Sequence, residues 1–232
     1  MSRLLLVLDT ATRTPVLGLA EMDGRLLATR RWESRHRQGE QLLDELDGLL
    51  AEAGVTARDL AGTCVGIGPG SFTGLRIGLA TAKVLAYSLR LPLVGVSTTT
   101  ALALGAQLEG EVAVTLPAGA ADRYVHRLRV SVDGARELGP AQLVATAEAF
   151  DQTVQGSTVL AVDFTPDDVT KTAVELGRRA VAGLTGAMAG LAARALADGR
   201  TNDVAQLVPA YVALPRGIAA AAQGIKWSHD LR

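Results

Sequence analysis

At residues 68–78 the chain reads GPGSFTGLRIG, an unusual run of glycines with a proline and two hydroxyl residues. It follows a short apolar run at residues 64–67, which predicts a buried strand, and it leads into a helix that Pro92 ends. Ser71 is the expected N-cap of that helix, because its hydroxyl can accept a hydrogen bond from an amide of the first turn. The glycines allow a tight turn that side chains would obstruct. We call the turn itself the glycine loop: Gly68, Pro69, Gly70 and Ser71.

The glycine loop fits the common phosphate-binding patterns poorly. A Walker loop needs a lysine after its last glycine to meet the terminal phosphates, and this loop has no lysine. The dinucleotide pattern Gly-x-Gly-x-x-Gly matches Gly68 and Gly70 but meets Thr73 at its third glycine. A helix N-terminus behind a glycine turn can still hold an anion, so this alternative stays open.

A stripe of small residues runs along the helix after the loop. Its members recur at every fourth position and therefore share one face: Gly70, Gly74, Gly78, Ala82 and Ala86. A glycine inside a helix costs roughly 0.5–1 kcal/mol relative to alanine, so Gly74 and Gly78 need a compensating contact. Close approach of another backbone would supply it. That backbone could belong to a second molecule or to this chain's own sheet, and the pattern alone favours neither.

The rest of the first half also alternates strands with helices. A continuous apolar run at residues 4–8, closed by Asp9 and Thr10, predicts a strand buried on both faces. The other elements expected here are strands at residues 16–20, 25–32 and 93–96, and helices at residues 38–53 and after residue 97. A meander followed by alternating strands and helices predicts an α/β fold with a mixed sheet covered by helices.

The second half predicts a smaller unit with the same kinds of element. Strands are expected at residues 111–116, 124–130 and 159–162, and helices at residues 140–150 and 167–198, the last in two pieces because of Gly183 and Gly186. We expect an N-terminal lobe at residues 1–108 and a smaller C-terminal lobe at residues 109–190. Residues 191–214 should pack back on the first lobe, and residues 215–232 form a tail.

Charge argues against a protein that grips nucleic acid by itself. The 23 Lys and Arg residues nearly balance the 24 Asp and Glu residues, giving a net charge of −1. Proteins that bind nucleic acid alone usually carry a basic excess. One local basic cluster, Arg30, Arg31, Arg35 and Arg37, could contact RNA or an acidic partner, or could be a solvated strand end.

Cysteine content and hydropathy indicate the compartment. Cys64 is the only cysteine, so no disulfide can form within the chain, which fits a reducing compartment. The apolar run at the N-terminus is too short for a signal peptide. No uninterrupted apolar stretch approaches the roughly 20 residues of a membrane helix. The sequence therefore predicts a cytoplasmic protein without membrane contact.

No residue pattern predicts catalysis or metal binding. The three histidines, His36, His126 and His229, are not at ligand spacing, and a zinc site needs three or four converging ligands. Cys64 lies in a predicted buried strand, where thiols are usually inert. Ser71 lacks the Gly-x-Ser-x-Gly elbow of a nucleophilic serine. We expect no catalytic residue, no metal and no resident cofactor.

The glycine-loop segment closely resembles the bacterial TsaB family, also called YeaZ. Residues 8–12 (LDTAT), 95–98 (GVST) and 209–212 (PAYV) resemble that family too. The resemblance covers about residues 4–108 and returns near residues 203–213. It implies a two-lobed actin-like, sugar-kinase and Hsp70-type fold (the ASKHA, ribonuclease H-like class) in a reduced form. It also implies a role in making threonylcarbamoyladenosine in transfer RNAs that read codons beginning with A.

The same resemblance implies specific partners. A catalytic paralogue, TsaD, carries the metal and transfers the threonylcarbamoyl group, and an ATPase, TsaE, joins the assembly. This chain would be their non-catalytic partner, would reach tRNA only through the complex, and would form a homodimer in isolation. The helix after the glycine loop and the preceding helix form the family's dimer face. Carried onto this chain, that face includes Leu42, Leu43, Leu46, Phe72, Gly74, Leu75, Ile77, Gly78, Thr81 and Ala82.

Asp9 and Thr10 carry the alternative interpretation. Actin-like ATPases place an acid at the end of the first strand, near nucleotide-bound magnesium. Those loops usually continue with glycine, whereas this chain continues with Thr10, Ala11 and Thr12. Weak binding of ATP or ADP by an ATPase or kinase relative therefore stays open as the second hypothesis.

Overall fold

Two five-stranded sheets form the framework of the protein, which we describe from a computed structural model. The structure describes residues 3–33, 38–119 and 122–212. Arg35, Arg37, His36, His229 and the expected tail at residues 215–232 lie outside these ranges.

The first sheet joins a meander to parallel strands. Its strand order is β3-β2-β1-β4-β5, with β1, β2 and β3 antiparallel and β1, β4 and β5 parallel. All six residues of β1 are buried, as expected for a continuous apolar strand with both faces covered. The strands are β1 (Leu4–Asp9), β2 (Val16–Glu21), β3 (Leu26–Arg31), β4 (Leu60–Gly66) and β5 (Leu93–Val96).

Helices cover both faces of this sheet. Leu4, Leu6 and Leu8 of β1 face a core shared with α1 (Gln38–Glu52) and α2 (Phe72–Leu89). The alternate residues of β1 face a second core that contains α3 (Thr98–Gly105) and α5 (Lys171–Ala197). Alternate residues of one strand therefore feed two separate cores, which follows from the two-residue side-chain period of a strand.

The second sheet is also mixed. Its order is β10-β6-β7-β8, and β9 pairs with β7. Strands β10 and β6 are parallel, and the remaining pairs are antiparallel. The helix α4 (Ala147–Val154) packs on β7. The strands are β6 (Gly110–Pro117), β7 (Arg123–Ser131), β8 (Gly134–Glu137), β9 (Gln142–Val144) and β10 (Thr158–Ala161).

The long helix α5 packs against both sheets. Its Leu184 and Met188 lie in one apolar cluster with residues of both sheets, such as Val7 and Val114. By length and composition α5 could cross a membrane. In the structure eleven of its residues are buried, so its apolar character is used in the core between the sheets.

The helix α5 is continuous, which corrects the expected interruption at Gly183 and Gly186. A Cβ at Gly183 would overlap the backbone of Gly105 in α3, so the absent side chain allows the two helices to touch. The expected boundary between the C-terminal lobe (residues 109–190) and the segment at residues 191–214 falls inside this helix. The expected helix at residues 140–150 is also corrected, because β9 pairs with β7 there and α4 begins only after its N-cap Thr146.

Candidate partner-binding site

The glycine loop is tied into the first lobe by its own backbone groups. The Gly68 amide donates to Thr98 Oγ1 at 3.1 Å, and the Ser71 amide donates to the Ala11 carbonyl at 2.7 Å. Ser71 Oγ accepts a hydrogen bond from the Gly74 amide at 3.2 Å, which confirms Ser71 as the N-cap of α2. The amides of Gly68 and Ser71 are thus already bonded within the chain and are not free to bind an anion.

Asp9 and Thr10 are also occupied by contacts within the chain. Asp9 Oδ1 accepts from the Ala11 amide at 2.7 Å and Oδ2 from the Thr98 hydroxyl at 2.6 Å. Burial raises the pKa of the Asp9 carboxyl to about 6, against the lowering effect of these two hydrogen bonds. The Thr10 hydroxyl donates to the Gly74 carbonyl at 2.7 Å.

A small cleft lies beside these residues, between the two lobes. Its volume is about 160 Å³, below the roughly 300 Å³ at which ligand pockets usually begin. A hydrogen bond joins the two lobes at the edge of the cleft, because Asp163 Oδ2 accepts from the Arg13 amide at 2.8 Å. The cleft is lined by Ala11, Thr12, Arg13, Gly70, Ser71, Leu116, Pro117 and Asp163, so neither Asp9 nor Thr10 reaches it.

The small-residue stripe of α2 faces this chain's own first strand. A Cβ at Gly74 would overlap the Thr10 carbonyl oxygen, and one at Gly78 would overlap the Thr10 hydroxyl. A Cβ at Gly70 would meet the Ala11 carbonyl in the same way. The compensating contact for these glycines is therefore intramolecular, which resolves the choice that the sequence left open.

Burial within the chain corrects the predicted interface at six of its ten residues, and the other four stay a prediction. Six of its ten residues are buried inside the chain and present no surface to a partner: Leu42, Leu46, Gly74, Leu75, Gly78 and Ala82. The other four are at least partly exposed: Leu43, Phe72, Ile77 and Thr81. Periodicity had grouped the α2 residues on common faces, but it could not say which face the sheet covers.

The opposite side of α2 is exposed and largely apolar. Val84 is 63% exposed and Tyr87 80% exposed, and Leu43 of the adjacent α1 is 54% exposed. Ala80 is exposed and Ile77 partly so. We call this surface the outer face: Leu43, Ile77, Ala80, Val84 and Tyr87. Sequence reasoning missed Val84 and Tyr87, although residues 77, 80, 84 and 87 follow one another at alternating spacings of three and four, which places them on one helix face.

The segment at residues 203–212 packs along one side of α2. The rings of Phe72 and Tyr211 lie 5.3 Å apart, and the Arg76 guanidinium stacks 3.9 Å above the Phe72 ring. The Ala210 amide donates to the Ile67 carbonyl at 2.8 Å. This segment therefore belongs to the first lobe and covers part of Phe72.

Of the basic cluster predicted from the sequence, the structure describes only Arg30 and Arg31. Arg30 contacts Glu45 at 2.7 Å and also pairs with Glu52, so its charge is used to hold β3 against α1. Arg31 is exposed.

The remaining candidate chemical groups are enclosed. Burial raises the pKa of the Cys64 thiol, whose sulfur lies 3.8 Å from the Met188 carbonyl. His126 is buried with its Nδ1 2.6 Å from Thr99 Oγ1, and burial lowers its pKa. Within residues 3–33, 38–119 and 122–212, no three His, Cys, Asp or Glu side chains come together as a metal site.

Comparisons with known proteins agree with the fold. The family model described as "TsaD: tRNA N6-adenosine threonylcarbamoyltransferase" matches residues 33–218. An uncharacterized protein of Mycobacterium tuberculosis is 35% identical over 137 residues, which are 59% of this chain and 63% of that protein. The Escherichia coli tRNA threonylcarbamoyladenosine biosynthesis protein TsaB is 38% identical over 103 residues, which are 44% of this chain and 43% of that protein. The chain thus spans less than two thirds of these relatives.

A solved structure matches nearly the whole chain. YeaZ from Pseudomonas aeruginosa superposes with a TM-score of 0.68 at 23% identity, covering 90% of this chain and 99% of that chain. At this identity the match concerns the fold alone. It confirms the two-lobed α/β fold with mixed sheets and covering helices that the sequence predicted.

Proposed function

Since the chain belongs to the TsaB (YeaZ) members of the TsaD family, we propose that it is the non-catalytic partner of a TsaD-type subunit in the synthesis of threonylcarbamoyladenosine in tRNA. Its task is to bind and position the catalytic paralogue. A TsaE-type ATPase joins the assembly, and tRNA is acted on by the complex. In isolation the chain pairs with a second copy of itself. It works in the cytoplasm, without membrane contact and without a resident cofactor.

The outer face is the observation that carries this proposal. Val84 and Tyr87 are largely exposed, and Leu43 is an exposed apolar residue of α1, the helix that contacts α2. Apolar groups concentrated on adjacent exposed helices are typical of protein interfaces, where large aromatic residues contribute much of the affinity. The proposed interface is therefore the outer face, and the small-residue stripe has no part in it.

The positions of the potentially reactive groups support a non-catalytic role. Both carboxylate oxygens of Asp9 accept hydrogen bonds from the chain, and Cys64 lies in the core. The hydroxyl of Ser71 caps α2. Each of these groups is hydrogen-bonded or buried within the fold, and it would have to lose these contacts before it could act on a substrate.

Association with a cognate TsaD-type subunit tests the proposal. The variant carries Val84→Glu with Tyr87→Glu, which places two charges on the outer face. The matched control is Val132→Glu, a residue 84% exposed beside the β7–β8 turn of the other lobe. We expect the double variant to weaken co-elution in size exclusion by about tenfold or more, which is about 1.4 kcal/mol, and the control to leave it unchanged. Normal co-elution of the double variant would rule out this interface.

The second candidate is a weak nucleotide-binding ATPase or kinase relative. The observation that favours it is the position of the cleft between the lobes, with the Asp163 carboxyl in its lining, and a nucleotide would have to widen this space of about 160 Å³. Calorimetry with ATP and magnesium separates the two functions. Micromolar binding with steady hydrolysis by the chain alone would favour the enzyme over the partner subunit.

A further inference from the structure

Three arginines meet at one edge of the first sheet. Arg3 directly precedes β1, Arg58 lies in the 3-10 turn (Ala57–Asp59) before β4, and Arg90 follows α2 just before β5. Because β1, β4 and β5 are parallel neighbours, their first residues lie at the same edge. The three arginines line one cleft of about 320 Å³, which we call the arginine cleft.

These three side chains are exposed and unpaired. Within the part of the chain that the structure describes, none of the three guanidinium groups makes a hydrogen bond or an ion pair. Other arginines pair with carboxylates of the chain, namely Arg25, Arg30, Arg127, Arg129, Arg178 and Arg200. The arginine cleft therefore holds positive charge that the fold itself does not use.

The acid in the cleft offsets only one of these three charges. Asp59 Oδ2 accepts hydrogen bonds from the amide and the hydroxyl of Thr56, each at 2.9 Å, and these bonds lower its pKa. The lowered pKa keeps this carboxylate ionised, so three arginines against one carboxylate leave the cleft with an excess of positive charge. In a chain of net charge −1, this gives a local positive potential that the composition hides.

Phosphate oxygens are the chemistry that fits the arginine cleft. A guanidinium presents a planar fork of donors that matches phosphate oxygens two at a time. The lining contains no aromatic residue, whereas protein interfaces are usually anchored by buried aromatic groups. The chemistry therefore favours a nucleic acid backbone over a protein surface.

We infer that the arginine cleft contacts the phosphate backbone of tRNA while the chain is part of the modifying complex. This inference rests on the proposed function, which supplies tRNA as the substrate of the assembly. The proposed RNA contact is therefore not the basic cluster that the sequence suggested, in which Arg30 pairs with Glu45 and Glu52. The contact positions the tRNA and reads no sequence, because phosphates are the same at every nucleotide.

The test measures binding of labelled tRNA by the complex with its TsaD-type subunit at several salt concentrations. The variant carries Arg3→Gln, Arg58→Gln and Arg90→Gln. The control removes the same number of arginines elsewhere, through Arg136→Gln, Arg178→Gln and Arg179→Gln, which are exposed and lie outside both the arginine cleft and the basic cluster. We expect the variant to bind about tenfold more weakly or worse, while the control stays near wild type. Removing one arginine–phosphate pair should reduce the slope of log K against log salt by about 0.7–0.9, so removing three should reduce it by about 2–3.

Co-elution with the TsaD-type subunit is measured for the same proteins. Normal co-elution of the variant with weaker tRNA binding supports the inference. Equal tRNA binding by variant and control overturns it, as does a variant that no longer co-elutes, because the cleft then binds an acidic protein surface. Competition by micromolar ATP also overturns it in favour of a free-nucleotide site. If wild type itself fails to co-elute, the proposed function fails, and tRNA binding by the chain alone still compares variant with control.

Discussion

At the scale of single residues, Thr10 makes the close contact between the end of β1 and the helix α2. Its carbonyl oxygen and its hydroxyl occupy the space that side chains at Gly74 and Gly78 would need. The hydroxyl also donates to the Gly74 carbonyl at 2.7 Å. Two glycines that looked costly in a helix therefore allow a close contact between α2 and the end of β1.

Replacing Gly74 by leucine should destabilise the fold. Its Cβ would overlap the Thr10 backbone, and overpacking of this kind costs about 1–3 kcal/mol or more. Thermal unfolding followed by circular dichroism should show a Tm lower by several degrees. Gly186→Ala is the control, since open space surrounds that position on α5, and it should be neutral or stabilising. A Gly74→Leu protein that melts like wild type would contradict the packing.

Asp9 should make stability fall as pH rises from about 4 to about 6. The folded carboxyl has a pKa raised from 3.8 to about 6, so the folded protein holds this proton more tightly than the unfolded chain. Deprotonation through this window should cost about 3 kcal/mol, given about 1.4 kcal/mol per unit. Denaturant unfolding at several pH values compares wild type with Asp9→Asn, which lacks the titration. Parallel pH profiles for the two proteins would show that Asp9 ionises normally.

At the scale of elements, the sequence predicted those features that depend on local residues alone and missed those that depend on tertiary packing. The apolar run at residues 4–8 of β1, the glycine turn and the Ser71 cap follow from local chemistry and are confirmed. The face that α2 buries is different, because spacing shows which residues share a face and not what covers it. The hairpin strand β8 and the short β9 were missed because pairing with β7 holds them in place. Tertiary contacts settle such elements.

Removing the cap of α2 should lower stability by about 1 kcal/mol. Ser71→Ala leaves the Gly74 amide without its side-chain acceptor, and such substitutions cost about 0.5–2 kcal/mol. For a chain of this size, the Tm should fall by about 2–4 °C. Ser88→Ala, at an exposed position on the same helix, is the control and should not lower the Tm. Equal Tm values for the two variants would mean that the cap contributes nothing.

At the scale of the whole molecule, the outer face leaves apolar side chains in water. We expect the isolated protein to bury them in a homodimer, and light scattering should then give twice the 24.1 kDa chain mass at micromolar concentration. Val84→Glu with Tyr87→Glu should shift it to the monomer, because burying two charges opposes association. A wild-type monomer at that concentration would contradict this expectation. The order of predicted elements and the family resemblance predicted two lobes, but only the coordinates showed which helix face remains exposed.

The continuity of α5 has a thermodynamic consequence. One helix supplies Leu184 and Met188 to an apolar cluster that includes Val7 of the first sheet and Val114 of the second. Neither sheet can lose its structure without exposing side chains that the other sheet also needs. Heat should therefore melt the entire molecule in one cooperative step, with equal calorimetric and van't Hoff enthalpies. Two resolved heat-capacity peaks would show instead that the halves unfold independently.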